Sequence, residues 1–90
     1  MEQFLYKLTP IRPDMLEDGL TENETEITAS HFDYLSDLKD KGVVKFAGRT
    51  TNTDASSFGV VVLLAEDEEA ARLIMAHDPA VKEGVLAAKI

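Results

Sequence analysis

Phe58-Gly59-Val60-Val61-Val62-Leu63-Leu64 is an unbroken apolar run that follows the polar Ser57 and ends just before Ala65-Glu66. Three β-branched valines stand at its centre, and its length suits one strand. A strand covered on one face only should alternate apolar and polar positions. From Val60 to Leu64 every position is apolar, so both faces of this strand require cover. Helices of the same chain can supply one face. A second copy packed sheet to sheet, with two-fold symmetry as the default, supplies the other. The run therefore predicts a homodimer built through sheet faces.

Upstream, Val43-Val44-Lys45-Phe46-Ala47 lies between Gly42 and Gly48 and reads as a partner strand. The polar stretch from Arg49 to Ser57 reads as the loop joining the two. Further upstream, Thr21-Glu22-Asn23-Glu24 has the capping-box pattern, and its acidic residues suit the positive end of a helix dipole. Ile27, His31, Tyr34, Leu35 and Leu38 then recur at helical spacing. Lys39 and Lys41 fill the last turn, and Gly42 stops the helix. The pattern predicts a long amphipathic helix over about residues 22–41. Phe4, Tyr6 and Leu8 share a face by period two and form a first strand ended by Pro10 and Pro13. The segment from Arg12 to Gly19 reads as a loop with at most one helical turn.

Downstream, Asp67 caps a second helix whose first turn carries Glu68 and Glu69. Ala70, Leu73, Ile74 and His77 share one of its faces. Asp78-Pro79 ends it, because the residue before proline is pushed away from the helical region. Asp78 caps a further short turn that closes before Gly84, and Val85 to Ile90 form the last strand. The order β-α-β-β-α-β is that of a ferredoxin-like α+β domain spanning residues 1–90, with both helices on one face of a four-stranded antiparallel sheet.

Composition excludes several function classes. Nine basic and seventeen acidic residues give a formal net charge of −8. With no basic stripe, the chain is a poor binder of nucleic-acid backbones. It has no Cys, hence no disulfide framework and no thiolate chemistry. No stretch approaches the ~18 apolar residues of a membrane span. Met1 is followed by Glu2 rather than a basic, then apolar, segment. The expected setting is the cytoplasm, with no membrane partner.

The topology concentrates chemistry at one end. The first helix starts where the second finishes, so His31 and Asp78 share an end of the molecule. That end also receives Arg12, Arg49, Phe58 and Gly84. A carboxylate accepting from one imidazole nitrogen fixes the tautomer and raises ring basicity. His31 and Asp78 are therefore the candidate general acid/base pair, with Arg49 or Arg12 available to a carboxylate or oxyanion. Tyr6 and Tyr34 are candidates to line the pocket. Each residue also has an ordinary role. A lone His on an apolar face is more often core, Asp before Pro is a good cap, and inward aromatic residues usually pack. Two His without paired-ligand spacing imply no metal, and no cofactor is indicated. Ser56-Ser57 lack a nucleophile-elbow context.

The ordered markers His31-Phe32-x-Tyr34-Leu35, Gly42-Val43-Val44, Ala47-Gly48-Arg49, Phe58-Gly59-Val60, Glu68-Glu69-Ala70, Asp78-Pro79-Ala80-Val81 and Gly84-Val85 span nearly the whole chain. In them the chain resembles the YciI-like (YCII-related domain) family of the dimeric α+β barrel group. Arg12-Pro13-x-Met15 and Thr21-x-x-Glu24 look like a subgroup with a longer first loop. The resemblance implies dimerisation through the sheets and a His-Asp centre that falls on His31 and Asp78. The barrel group includes muconolactone isomerases and monooxygenases that need no metal or flavin. The family includes an enzyme that dechlorinates a hydroxyaromatic. Many members have Pro where Arg49 stands, which marks Arg49 as a subgroup ligand. His77 is not a family marker. Three readings follow: a proton-transfer enzyme acting on a small oxygenated or anionic substrate, a non-catalytic small-molecule-binding or accessory module, and a structural protein.

Overall fold

The computed structural model describes every residue except 13, 15–17 and 53–55. Parts of the loops expected at 12–19 and 49–57 thus lie outside the described residues, as do Pro13 and Met15. The elements are β1 (Glu2–Pro10), α1 (Glu22–Asp40), β2 (Val44–Arg49), β3 (Gly59–Ala65), α2 (Glu68–His77), α3 (Pro79–Lys82) and β4 (Leu86–Lys89). The strands form one antiparallel sheet in the order β2-β3-β1-β4. This is the ferredoxin-like arrangement, with β3 and β1 central. No helix among the described residues is long and apolar enough to cross a membrane.

The period-two pattern sorts the sheet into two faces. Tyr6, Leu8, Val44, Val61, Leu63 and Ala65 point under the helices and form the core with Leu35 and Ala71. On the opposite face, the register sets Leu5 against Val62 and Phe46 against Val62. Val60, Val62 and Leu64 are half-buried there, whereas Leu5 and Phe46 are exposed. One chain therefore leaves an apolar sheet face open.

β2 departs from expectation. It continues through Gly48 and Arg49, where Arg49 pairs with Gly59, so Arg49 is a strand residue and not the first residue of the loop. The ladder to β3 drives this, because each added pair satisfies backbone groups that a loop would leave to water. A register shift between Val44 and Phe46 marks a bulge, which brings Ala47 and Arg49 to the helix face of the sheet.

The start of α1 is fastened by a single carboxylate. Thr21 Oγ1 accepts from Glu24 N–H at 3.1 Å, and Glu24 Oε1 accepts from Thr21 N–H at 2.9 Å. The same carboxylate takes Arg12 Nη2 at 2.6 Å and Arg12 Nε at 3.1 Å. The Arg12 bonds, then the Thr21 N–H, hold the Glu24 carboxyl at about 2 instead of the usual 4.5. A depressed carboxyl contributes stability in full above its unfolded value and loses it as pH falls toward its folded one. The stability gap between wild type and Glu24→Gln should stay constant above about pH 5 and close between about pH 4.5 and 2. Urea unfolding across that range checks it; a gap independent of pH would contradict the assignment.

Candidate functional site

Asp78 is placed by backbone chemistry before any side chain meets it. Proline at the next position cannot continue α2, and it is pre-organised to begin a new helix. Asp78 takes an extended conformation (φ −60°, ψ 123°) and caps α3, with Oδ1 accepting from Ala80 N–H at 3.0 Å. Two further donors converge on the same carboxylate. His31 Nδ1 lies 2.6 Å from Oδ1, and Tyr6 OH donates to Oδ2 at 2.9 Å. The side chain is fully buried. A buried carboxylate is tolerated only when its lone pairs are taken, and here three donors take them.

His31 approaches from the inner face of α1. The ionised Asp78 is acceptor-only, so the His31 nitrogen facing it carries the proton. In the neutral ring the proton then sits on Nδ1, and Nε2 keeps its lone pair. Nε2 has no partner among the described residues. Tyr6 is locked as a donor: burial, then the charge of Asp78 and the bond to it, push its phenol above the usual range. Tyr34 OH donates to the Ile74 carbonyl at 2.7 Å and so ties α1 to α2. Burial, and next Asp78, raise its phenol too.

A cleft of about 900 Å³ opens beside His31, between α1 and the β2 side of the sheet. Phe32, Leu35 and Val61 give it apolar walls, and Arg49 and Ser57 add polar groups. Arg49 is exposed and has no ion pair among the described residues, whereas Arg12 pairs with Glu24 and Arg72 with Glu68. The structure thus brings His31 into contact with Asp78 and sets Arg49 on the same cleft. It does not put the other candidates there. Arg12 is bound to Glu24 and the Gly19 carbonyl. Tyr6 and Tyr34 stand behind the dyad as its supports, outside the cleft wall. His77 is exposed and borders a separate, open depression with Glu26 and Lys82. No group of three or more His, Cys, Asp or Glu among the described residues could hold a metal ion.

Sequence reasoning passed over Ser57, which is 4% exposed and lines the cleft. Its sequence context offers it only as a nucleophile without the elbow that role needs. Its position two residues before β3, opposite the exit of β2, is the available signal.

Removing the Asp78 carboxylate would strand three buried donors and uncap α3. Asp78→Ala should cost about 3–5 kcal/mol, as for other broken buried pairs, and lower Tm by at least about 10 °C in a domain of this size. Asp78→Asn keeps one acceptor oxygen and should lose less. Thermal unfolding of both variants measures this, and a near-neutral Asp78→Ala would show that the carboxylate is not buried as described.

Among curated proteins, none matches the sequence. Among solved structures, the chain is similar to the 5-chloro-2-hydroxyhydroquinone dehydrochlorinase TftG of Burkholderia phenoliruptrix AC1100, in complex with 2,5-dihydroxybenzoquinone. The two share 21% identity over 97% of this chain and 92% of that one, with a TM-score of 0.62. At that identity the likeness speaks for the fold. The YCII-related domain matches residues 5–90; on that match, and on a fold in accord with it, the chain belongs to the YCII-related domain family.

Proposed function

We propose that this protein is a small enzyme that moves a proton at His31 Nε2 on a small, oxygenated, anionic or enolisable substrate. One observation carries the reading: the cleft reaches His31 while Asp78, its partner, is sealed from it. A histidine with one nitrogen anchored to a buried carboxylate and the other open to a cleft has the form of a general acid/base. A buried pair serving stability alone has no need of a cleft at its open nitrogen. Arg49 supplies a guanidinium for the substrate's carboxylate or developing oxyanion.

The step is simple to balance. Nε2 takes a proton adjacent to a carbonyl, and the C–H electron pair becomes an enolate held by Arg49. Return of the proton to another carbon is an isomerisation. Departure of a halide from the neighbouring carbon with its bonding pair is an elimination. The dehydrochlorinase of similar fold favours the second course.

Nitrogen NMR of the imidazole tests the dyad. Wild type should show the Nδ1–H tautomer for His31, and Asp78→Asn should lose that preference. The same tautomer mixture in both proteins would remove the dyad. For turnover, His31→Gln should lower the rate on any halogenated or enolisable substrate found by about 10²- to 10⁴-fold.

The open sheet face supports a homodimer as the functional unit. Phe46 and Leu5 are exposed there, and the Phe46 ring lies beside Gly48, where a Cβ would meet it at 3.1 Å. The result is a flat apolar surface of the kind that marks an interface. Sedimentation at micromolar concentration should give the mass of two chains, and Val62→Lys should give one. A wild-type monomer under these conditions would exclude the dimer.

A further inference from the structure

The second polar feature of the cleft is Ser57, one end of a hydroxyl pair. Phe58 N–H donates to Thr50 Oγ1 at 3.1 Å, and Thr50 Oγ1 donates to Ser57 Oγ at 3.2 Å. A hydroxyl oxygen has two lone pairs and one proton, so Thr50 Oγ1, with one lone pair taken by the Phe58 N–H, still has its proton to give to Ser57 Oγ. With Thr50 as donor, Ser57 keeps its own proton, which has no acceptor among the described residues. The side chain is almost fully buried, yet it lines the cleft that also holds Arg49 and His31. Chained hydrogen bonds polarise one another, so the terminal hydroxyl is a better donor than an isolated one.

We infer that Ser57 is a specificity-determining donor: its hydroxyl, aligned by Thr50, binds a second acceptor oxygen of the substrate, distinct from the anionic group held by Arg49. The inference rests on the proton-transfer reading of the cleft and narrows its substrate class. The ligand is a compact molecule with two separated oxygens, one anionic and one carbonyl or phenolate. The apolar walls from Phe32, Leu35 and Val61 suit a ring or short carbon frame between them. A site built to donate to an oxygen discriminates strongly against analogues that lack it, because its buried donor is then left unpaired.

Two probes separate the parts. 2,5-Dihydroxybenzoquinone carries oxygens on both sides of a ring; benzoate carries a carboxylate and no second oxygen across the ring. Titrations of each into wild type, Ser57→Ala, Ser57→Thr and Arg49→Ala are followed calorimetrically. Ser57→Ala should weaken the quinone about ten-fold or more and leave benzoate unchanged. Ser57→Thr, which keeps a hydroxyl, should restore most of the loss. Arg49→Ala should weaken both probes. If Ser57→Ala binds the quinone as wild type does, or weakens both probes alike, the role of Ser57 is overturned while the reading of the cleft stands. If wild type binds neither probe, the cleft reading and the Ser57 inference fall together.

Discussion

The Asp78 carboxylate is a charge with no exposure to water, and the architecture around it follows from satisfying it. Its three donors come from three different elements: Tyr6 on β1, His31 on α1 and the Ala80 amide at the start of α3. Each is tens of residues away in sequence or fixed by the break between α2 and α3. A buried ion is costly to desolvate, and hydrophobic replacement of such networks is often neutral or better for stability. The network's value therefore lies in specificity: only one docking of α1 on the sheet lets His31 reach Oδ1 while Tyr6 reaches Oδ2. Tyr34, bonded to the Ile74 carbonyl, holds α1 and α2 in the same relation from the other side.

That rigidity has a chemical consequence. Tyr6 stays protonated and donating to Asp78. The imidazole is held at one nitrogen by a short bond and left open at the other. In a chain of net charge −8, a guanidinium on the same cleft with no ion pair among the described residues is conspicuous. The other two arginines are bound to glutamates, one at the start of α1 and one along α2. Arg49 differs because the β2 ladder extends one turn of alternation further than β-propensity alone suggests, which lands it on the helix face opposite the side-chain-free Gly59.

Much of this was legible in the residues. Thr21 and Glu24 announced the start of α1, Asp78-Pro79 announced both the end of α2 and the cap of α3, and the Val60–Leu64 run announced a strand needing cover on two sides. Topology alone placed His31 and Asp78 at one end. Contacts set by three-dimensional packing were not legible. Tyr6 was expected on a pocket wall, because period two gives the face of a strand and not what stands in front of it. Arg12 was expected at the site, but a local carboxylate captures it: Glu24, already poised by the capping box, offers two oxygens in the fork geometry that a guanidinium prefers. Ser57 was missed because its sequence context does not show that its hydroxyl is buried against the cleft beside Thr50, which packing decides.

The two surfaces that a single chain leaves uncommitted, the cleft and the open sheet face, meet at β2. Phe46 and Val60 belong to the open face by register, yet they also border the cleft. β2 is an edge strand, and the cleft takes lining residues from both of its faces, Phe46 and Gly48 from one and Ala47 and Arg49 from the other. Gly48 and Gly59 are tightly placed. A side chain at Gly48 would meet the Phe46 ring at 3.1 Å, and one at Gly59 would meet the Gly48 carbonyl at 3.3 Å. A second copy seated on the open face would therefore cover Phe46 and wall off the outer rim of the same cleft. Pairing the sheets would then do more than hide apolar area. It would exclude water from the guanidinium and the open imidazole nitrogen, where a lower dielectric strengthens each electrostatic contact with a bound anion.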